Sequence, residues 1–181
     1  SVFPGKVASS ARRESKKVEI DADYNTDPNF SMGSQETVFR PTGRYVPPGE
    51  LVSIRIPEEA IGKGLVARVG IHYADLELTH YDFTRFPRIS RTFSLDKAKV
   101  LVDNPLGGAL YIEIADGTDL GLVKLEIEGA VELPSYSQKD LLGSNKDLTA
   151  FKAAIARAEV PWFEIVGKSF ALTYPLGMSH N

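Results

Sequence analysis

Three histidines, His72, His80 and His180, are the natural candidates for metal binding and proton transfer in this sequence. None lies in a His-Glu-x-x-His frame, the spacing that sets two imidazoles one helical turn apart on one metal. His72 and His80 can meet only if the acidic residues between them fold into a compact loop, and structural or surface roles are the simpler reading. Asp21, Asp23, Asn25 and Asp27 alternate oxygen ligands as a calcium loop does. The sixth position of that frame is Thr26 where the turn needs glycine, and the twelfth is Met32 where the cation needs a bidentate glutamate, so a solvated turn is expected.

Other chemistries find less support. Gly107-Gly108 belongs to no phosphate-binding frame, and it precedes an apolar run instead of a helix. No Gly-x-Ser-x-Gly elbow occurs. Carboxylates such as Glu58-Glu59, or Asp75, Glu77 and Asp82, are ordinary surface charges by spacing, and a free-standing enzyme built on them is the weakest reading. Cysteine is absent, which removes disulfides, thiolate metal sites and thiol nucleophiles. Tyr73, Tyr81, Phe83, Phe86 and Trp162 read first as packing residues. Their alternative use is as aromatic faces for a sugar ring, with possible glycan contacts at Tyr73, Tyr81, Phe83 and Trp162 and the 74–90 loop as the exposed location.

Lys and Arg total 21 against 24 Asp and Glu, a formal charge of -3, which supplies no general attraction for phosphate backbones or anionic membranes. Nucleic acid is excluded as a natural partner on that ground. No apolar run reaches the roughly 20 residues of a membrane span, so no membrane insertion is expected. The start, Ser1-Val2-Phe3-Pro4-Gly5, has neither an initiator Met nor the regions of a signal peptide, and a segment trimmed from a longer protein is expected.

The elements that must position these residues are mostly strands. Val18, Ile20 and Ala22 alternate with acidic residues. Residues 43–49 carry turn chemistry, with Gly43, Pro47, Pro48 and Gly49, and an alternating run at 51–56 follows, closed by Pro57. Further strands are predicted at 65–73, near 91–95, at 99–102, at 109–114 and at 122–133, where Val123, Leu125 and Ile127 alternate with Lys124, Glu126 and Glu128. Asn104-Pro105-Leu106-Gly107-Gly108 reads as a tight loop. After Pro134 the pattern changes: Asn145 or Asp147 can cap a helix whose apolar positions are Leu148, Phe151, Ile155 and Ala158, with Pro161 as its stop. Residues 162–166 and 169–174 then read as a hairpin around Gly167-Lys168. The fold class expected is mainly β, a β-sandwich-like antiparallel domain over 1–134, with a helix and β-hairpin appendage over 135–181.

Several phrases in order carry more information than any chemical motif. They are Phe3-Pro4-Gly5 with Ala11-Arg12, then Thr42-Gly43-Arg44-Tyr45-Val46-Pro47-Pro48-Gly49-Glu50, Arg88-Ile89-Ser90-Arg91-Thr92-Phe93 and Asn104-Pro105-Leu106-Gly107-Gly108-Ala109-Leu110-Tyr111-Ile112. Ile127-Glu128-Gly129-Ala130-Val131-Glu132 and Ala158-Glu159-Val160-Pro161-Trp162-Phe163-Glu164 continue the series. In these phrases the chain resembles the front half of the enhancin-like, mucin-directed zinc metallopeptidase family. The resemblance implies a β-rich front portion that precedes a helical gluzincin portion bearing His-Glu-x-x-His and a later glutamate.

No zinc ligand or catalytic glutamate of the family maps onto a residue of this chain, so the segment is expected to be noncatalytic and without a cofactor, with zinc in the catalytic portion. The implied partners are its own catalytic domain and, through it, mucin or other host glycoprotein glycans. The implied location is secreted or at the cell surface. Asn104, Gly107 and Gly108 are the candidate cleft or interdomain contact, because a backbone without side chains permits close approach. The alternative to a scaffold or substrate-positioning role is an independent carbohydrate-binding module.

Overall fold

The computed structural model describes residues 5–26, 36–72, 88–137, 145–167 and 170–176, with residues 145–147 described as backbone only. Two antiparallel sheets face each other across the main core. The first contains β1 (Glu14–Tyr24), β3 (Val52–Arg55), β6 (Lys99–Val102) and most of β8 (Thr118–Glu132). The second contains β2 (Thr37–Val46), β4 (Val66–Val69), β5 (Arg91–Ser94) and β7 (Gly108–Ala115), with the end of β8.

Strand β8 belongs to both sheets. Its earlier residues pair with β1 and β3, whereas Val131 and Glu132 pair with Tyr45 and Arg44 of β2. The passage occurs at Gly129, whose φ of 94° only glycine adopts without strain, and the register of β1 shifts at the same place. The result is a sandwich that is a nearly closed sheet. Its two ends, β5 and β6, are tied by an ion pair between Arg91 and Asp103 at 2.6 Å. Between the sheets lie Ile54, Leu65, Leu110, Ile112, Ile114, Leu125 and Ile127, all buried. The alternation read over 122–133 is the inward and outward alternation of β8 against this core.

A third layer covers the other face of the second sheet. Strand β9 (Ser135–Ser137) runs parallel to β10 (Trp162–Val166), which pairs antiparallel with β11 (Ala171–Pro175), giving a three-stranded sheet. Helix α1 (Asn145–Ala156) covers part of its outer side, stacking Phe151 on Tyr136 and meeting Phe163 edge-on. The inner side joins a second core of Tyr45, Ala109, Tyr111, Val131, Leu133 and Val160, with Trp162 packed against it. Strand β7 is therefore buried on both faces, which explains its unbroken apolar sequence.

Three expectations are corrected. Residues 43–46 are the end of β2, not a turn; Pro41 and Gly43 are accommodated because the register shifts between Pro41 and Arg44, and the turn is confined to 47–50. The strand expected at 65–73 stops at Val69, because Gly70 turns at φ 96° against Ile89 and Gly108. The helix ends at Ala156, before Ala158 and before Pro161: Arg157 and Ala158 bond back to Ala154 and Ile155, tightening the last turn, and Glu159 then binds Ser10 and the Arg12 amide.

Candidate functional site

The interface between the second sheet and the C-terminal layer holds a chemically unusual group. Glu164, on the inner side of β10, is 1% exposed. The Tyr111 hydroxyl of β7 donates to its Oε1, and the hydroxyls of Tyr111 and Thr173 lie 3.4 Å apart. Glu164 Oε2 is enclosed with no hydrogen-bond partner among the described residues. Among the described residues no cation offsets the loss of water. Burial pushes the Glu164 carboxyl up from its ordinary 4.5 to about 7, against the opposing effect of the Tyr111 and Thr173 hydroxyls. The same burial, reinforced by the neighbouring carboxylate, raises Tyr111 far above the usual phenol range.

Beside this group lies a small apolar recess, partly open to solvent and lined by Gly70, His72, Gly108, Trp162 and Thr173 among others. The rings of His72 and Trp162 meet edge to face with centroids 6.3 Å apart. The fold thus brings Gly108, predicted as a cleft residue, and Trp162, predicted as a glycan contact, to one opening. Tyr73, Tyr81 and Phe83, together with Phe86, His80, His180 and the acidic residues Asp75, Glu77 and Asp82, lie outside the described residues.

Asn104 is not at a surface cleft; it is 2% exposed and holds four segments together. Its Nδ2 donates to the carbonyls of Val69 and Ile89 at 3.2 and 2.9 Å, its Oδ1 accepts from Leu106 N, and its carbonyl accepts from Gly49 and Gly107. Gly107 and Gly108 do permit close approach, as expected, but toward neighbouring turns of the same domain. A Cβ on Gly107 would stand 2.8 Å from Val46 O, and one on Gly108 2.7 Å from Gly70 Cα.

Asp21 and Asp23 of the apparent calcium frame belong to β1, and Asp27 lies outside the described residues. Asp23 accepts from Gly121 N at 2.6 Å, and Asp21 pairs with Arg40. Among the described residues no group of three or more His, Asp or Glu side chains is placed to hold a metal ion. No described helix is long and apolar enough to cross a membrane.

Sequence reasoning missed a surface feature of the C-terminal layer. Leu172 and Tyr174, 45% and 41% exposed, alternate along the outer side of β11, the edge strand of its sheet, and Phe170, 53% exposed, immediately precedes it. Tyr174 stacks on Phe163 and so continues the aromatic row that α1 covers further along. The period-two pattern of the hairpin was the available signal, since Leu172 and Tyr174 share one side whichever side faces inward.

Residues 9–128 match the model of the N-terminal domain of M60-like peptidases. The chain belongs to this family. Among curated proteins the M60-like domain is 31% identical over 134 residues to TRPM8 channel-associated factor 2 of Bos taurus, covering 74% of this chain and 14% of that protein. It therefore spans about a seventh of the relative's length. Among solved structures it resembles the IMPa metallopeptidase from Pseudomonas aeruginosa, with TM-score 0.68 and 20% identity over 93% of this chain and 18% of that one. The IMPa metallopeptidase in complex with T-antigen superposes with TM-score 0.67 and 20% identity over 96% and 19% of the two chains. The catalytic module of the metalloprotease ZmpA from Clostridium perfringens superposes with TM-score 0.57 and 17% identity over 90% and 34%. These superpositions establish a shared fold, and the family match agrees with the resemblance read from the sequence phrases.

Proposed function

We propose that this M60-like domain is a noncatalytic scaffold that docks the zinc-binding catalytic portion of a secreted metallopeptidase acting on mucin-type glycoproteins, and helps position the substrate. The carrying observation is the apolar row Phe170, Leu172 and Tyr174 at β11, the edge strand of its sheet among the described residues; Leu51, Leu101, Leu122 and Leu148 are also exposed, but on other segments. An exposed contiguous apolar row costs solubility unless something covers it. The choice of occupant is supported by the ZmpA structure, in which a chain described as a catalytic module contains this fold within 34% of its length. The substrate class is supported by the IMPa complex with T-antigen.

The test is to combine the chain with the catalytic portion of its parent protein and to follow cleavage of an O-glycosylated mucin. The chain alone should give no turnover, the pair should associate and cleave, and Phe170→Ser with Leu172→Glu should abolish association while leaving the domain folded. A catalytic portion equally active and stable without this domain would overturn the reading. Glycan binding by the isolated chain, lost on Trp162→Ala, would favour the alternative of a carbohydrate-binding module at the His72 and Trp162 recess.

A further inference from the structure

We propose that Glu164 is a proton-controlled latch: its neutral carboxyl holds the C-terminal three-stranded sheet on β7, and its ionisation loosens that layer. The geometry requires it. A carboxylate enclosed between two sheets must keep its charge stabilised by donors or a cation, and here the Tyr111 hydroxyl binds one oxygen with the Thr173 hydroxyl close by, while the other oxygen has no partner among the described residues. A protonated carboxyl suits the same site, because it needs fewer donors.

Among the described residues, the groups around Glu164 leave it without a counter-ion. From β7 come Tyr111 and, further along the same side, Glu113; β4 places Arg68 opposite Tyr111. Arg68 is engaged by Glu113 and by Ser90 Oγ. Strand β2 contributes Tyr45, whose hydroxyl donates to Gly5 O, and β11 and β9 set Thr173 and Ser135 opposite Glu164. His72 stands against Trp162, two residues from Glu164. With the carboxyl pushed up to about 7 by burial, the latch switches near neutral pH.

The layer that would loosen also carries the exposed row of β11, so proton loss would change how that row is presented. This consequence rests on the docking reading, whereas the latch itself does not.

Trp162, the only tryptophan, reports on this interface from the same strand. Its fluorescence in the full chain should shift with a midpoint near pH 7, and hydrogen exchange in 162–166 and 171–175 should quicken above it. Glu164→Gln should abolish both changes, Tyr111→Phe should move the midpoint upward by removing a donor to the ionised form, and His72→Asn should leave the transition in place. A transition that survives Glu164→Gln, or is lost in His72→Asn alone, assigns the titration to His72 and overturns the latch. A flat wild-type profile overturns it as well. Loss of docking in a protein whose latch titrates normally would count against the scaffold reading only.

Discussion

The Tyr111 hydroxyl, on a strand buried on both faces, donates to the carboxyl of Glu164 across the junction between the sandwich and its C-terminal layer. Their linkage to pH has a definite sign. The fold keeps the Glu164 proton up to about pH 7, whereas the unfolded chain releases it near 4.5, so between those values the unfolded state binds fewer protons. Stability must fall as pH rises from about 4.5 to about 7 and then level off, at up to roughly 1.4 kcal/mol per pH unit for this group. Thermal unfolding from pH 4.5 to 8 should show this slope. Glu164→Gln should flatten it and raise stability at pH 8 by roughly 2 kcal/mol, with little change at pH 4.5.

Asn104 is a polar tie inside the sandwich, since both ends of its amide are used and both lie inside. Asn104→Ala leaves the Val69 and Ile89 carbonyls and the Leu106 amide unpaired, and should cost roughly 2 to 4 kcal/mol in urea unfolding. Asn104→Asp should be worse at neutral pH, because it points a carboxylate oxygen at two carbonyls. Equal stability of the Asp variant and the native protein would contradict the assigned amide orientation.

Gly108 and Gly70 pack backbone against backbone, and Gly70 N donates to Ala109 O at 2.8 Å. Because the obstacle to a Cβ at Gly108 is main chain, no side chain can swing aside. Gly108→Ala should destabilise by more than about 2 kcal/mol, combining overlap with an unfavourable φ of 149°. Gly117→Ala, with φ 80° but nothing within 4 Å, isolates the backbone cost and should be about 1 kcal/mol. Denaturant midpoints of the two variants separate overlap from strain.

Legibility in the sequence follows how local the cause is. Strand β8 could be read because one side meets the core and the other meets water along most of its length. Strand β7 could be read from its continuous apolar run, although only the structure shows that two different cores claim its two faces. The end of β2, from Gly43 to Val46, reads as a turn because Gly43, Pro47, Pro48 and Gly49 are local breakers, while the bulge between Pro41 and Arg44 depends on pairing with β7. Strand β9 is three residues long and pairs in parallel with residues far along the chain, leaving no local trace. Asn104 was picked out as a turn residue, but its amide partners lie 15 and 35 positions away. Glu164 had a visible signal in its charge amid Trp162, Phe163, Ile165 and Val166; that it faces inward follows from the packing of β10 on β7.

Two ion pairs, one within the second sheet and one between its edge and the first, should respond differently to removal, because burial decides what a lost partner leaves behind. Arg68 and Glu113 are only 16% and 11% exposed at their side chains, and Arg68 also covers the Phe39 ring at 5.3 Å. Arg68→Ala strands a largely buried carboxylate and should cost roughly 2 to 4 kcal/mol, nearly independent of salt. Arg91 and Asp103 close the seam between β5 and β6 with side chains 46% and 30% exposed. Water and salt screen that pair, so Arg91→Ala should cost less than about 1 kcal/mol and lose most of its effect at high ionic strength. Urea unfolding at low and high salt checks both. A large, salt-insensitive loss for Arg91→Ala would mean that closure of the sheet, and not only the ion pair, depends on that residue.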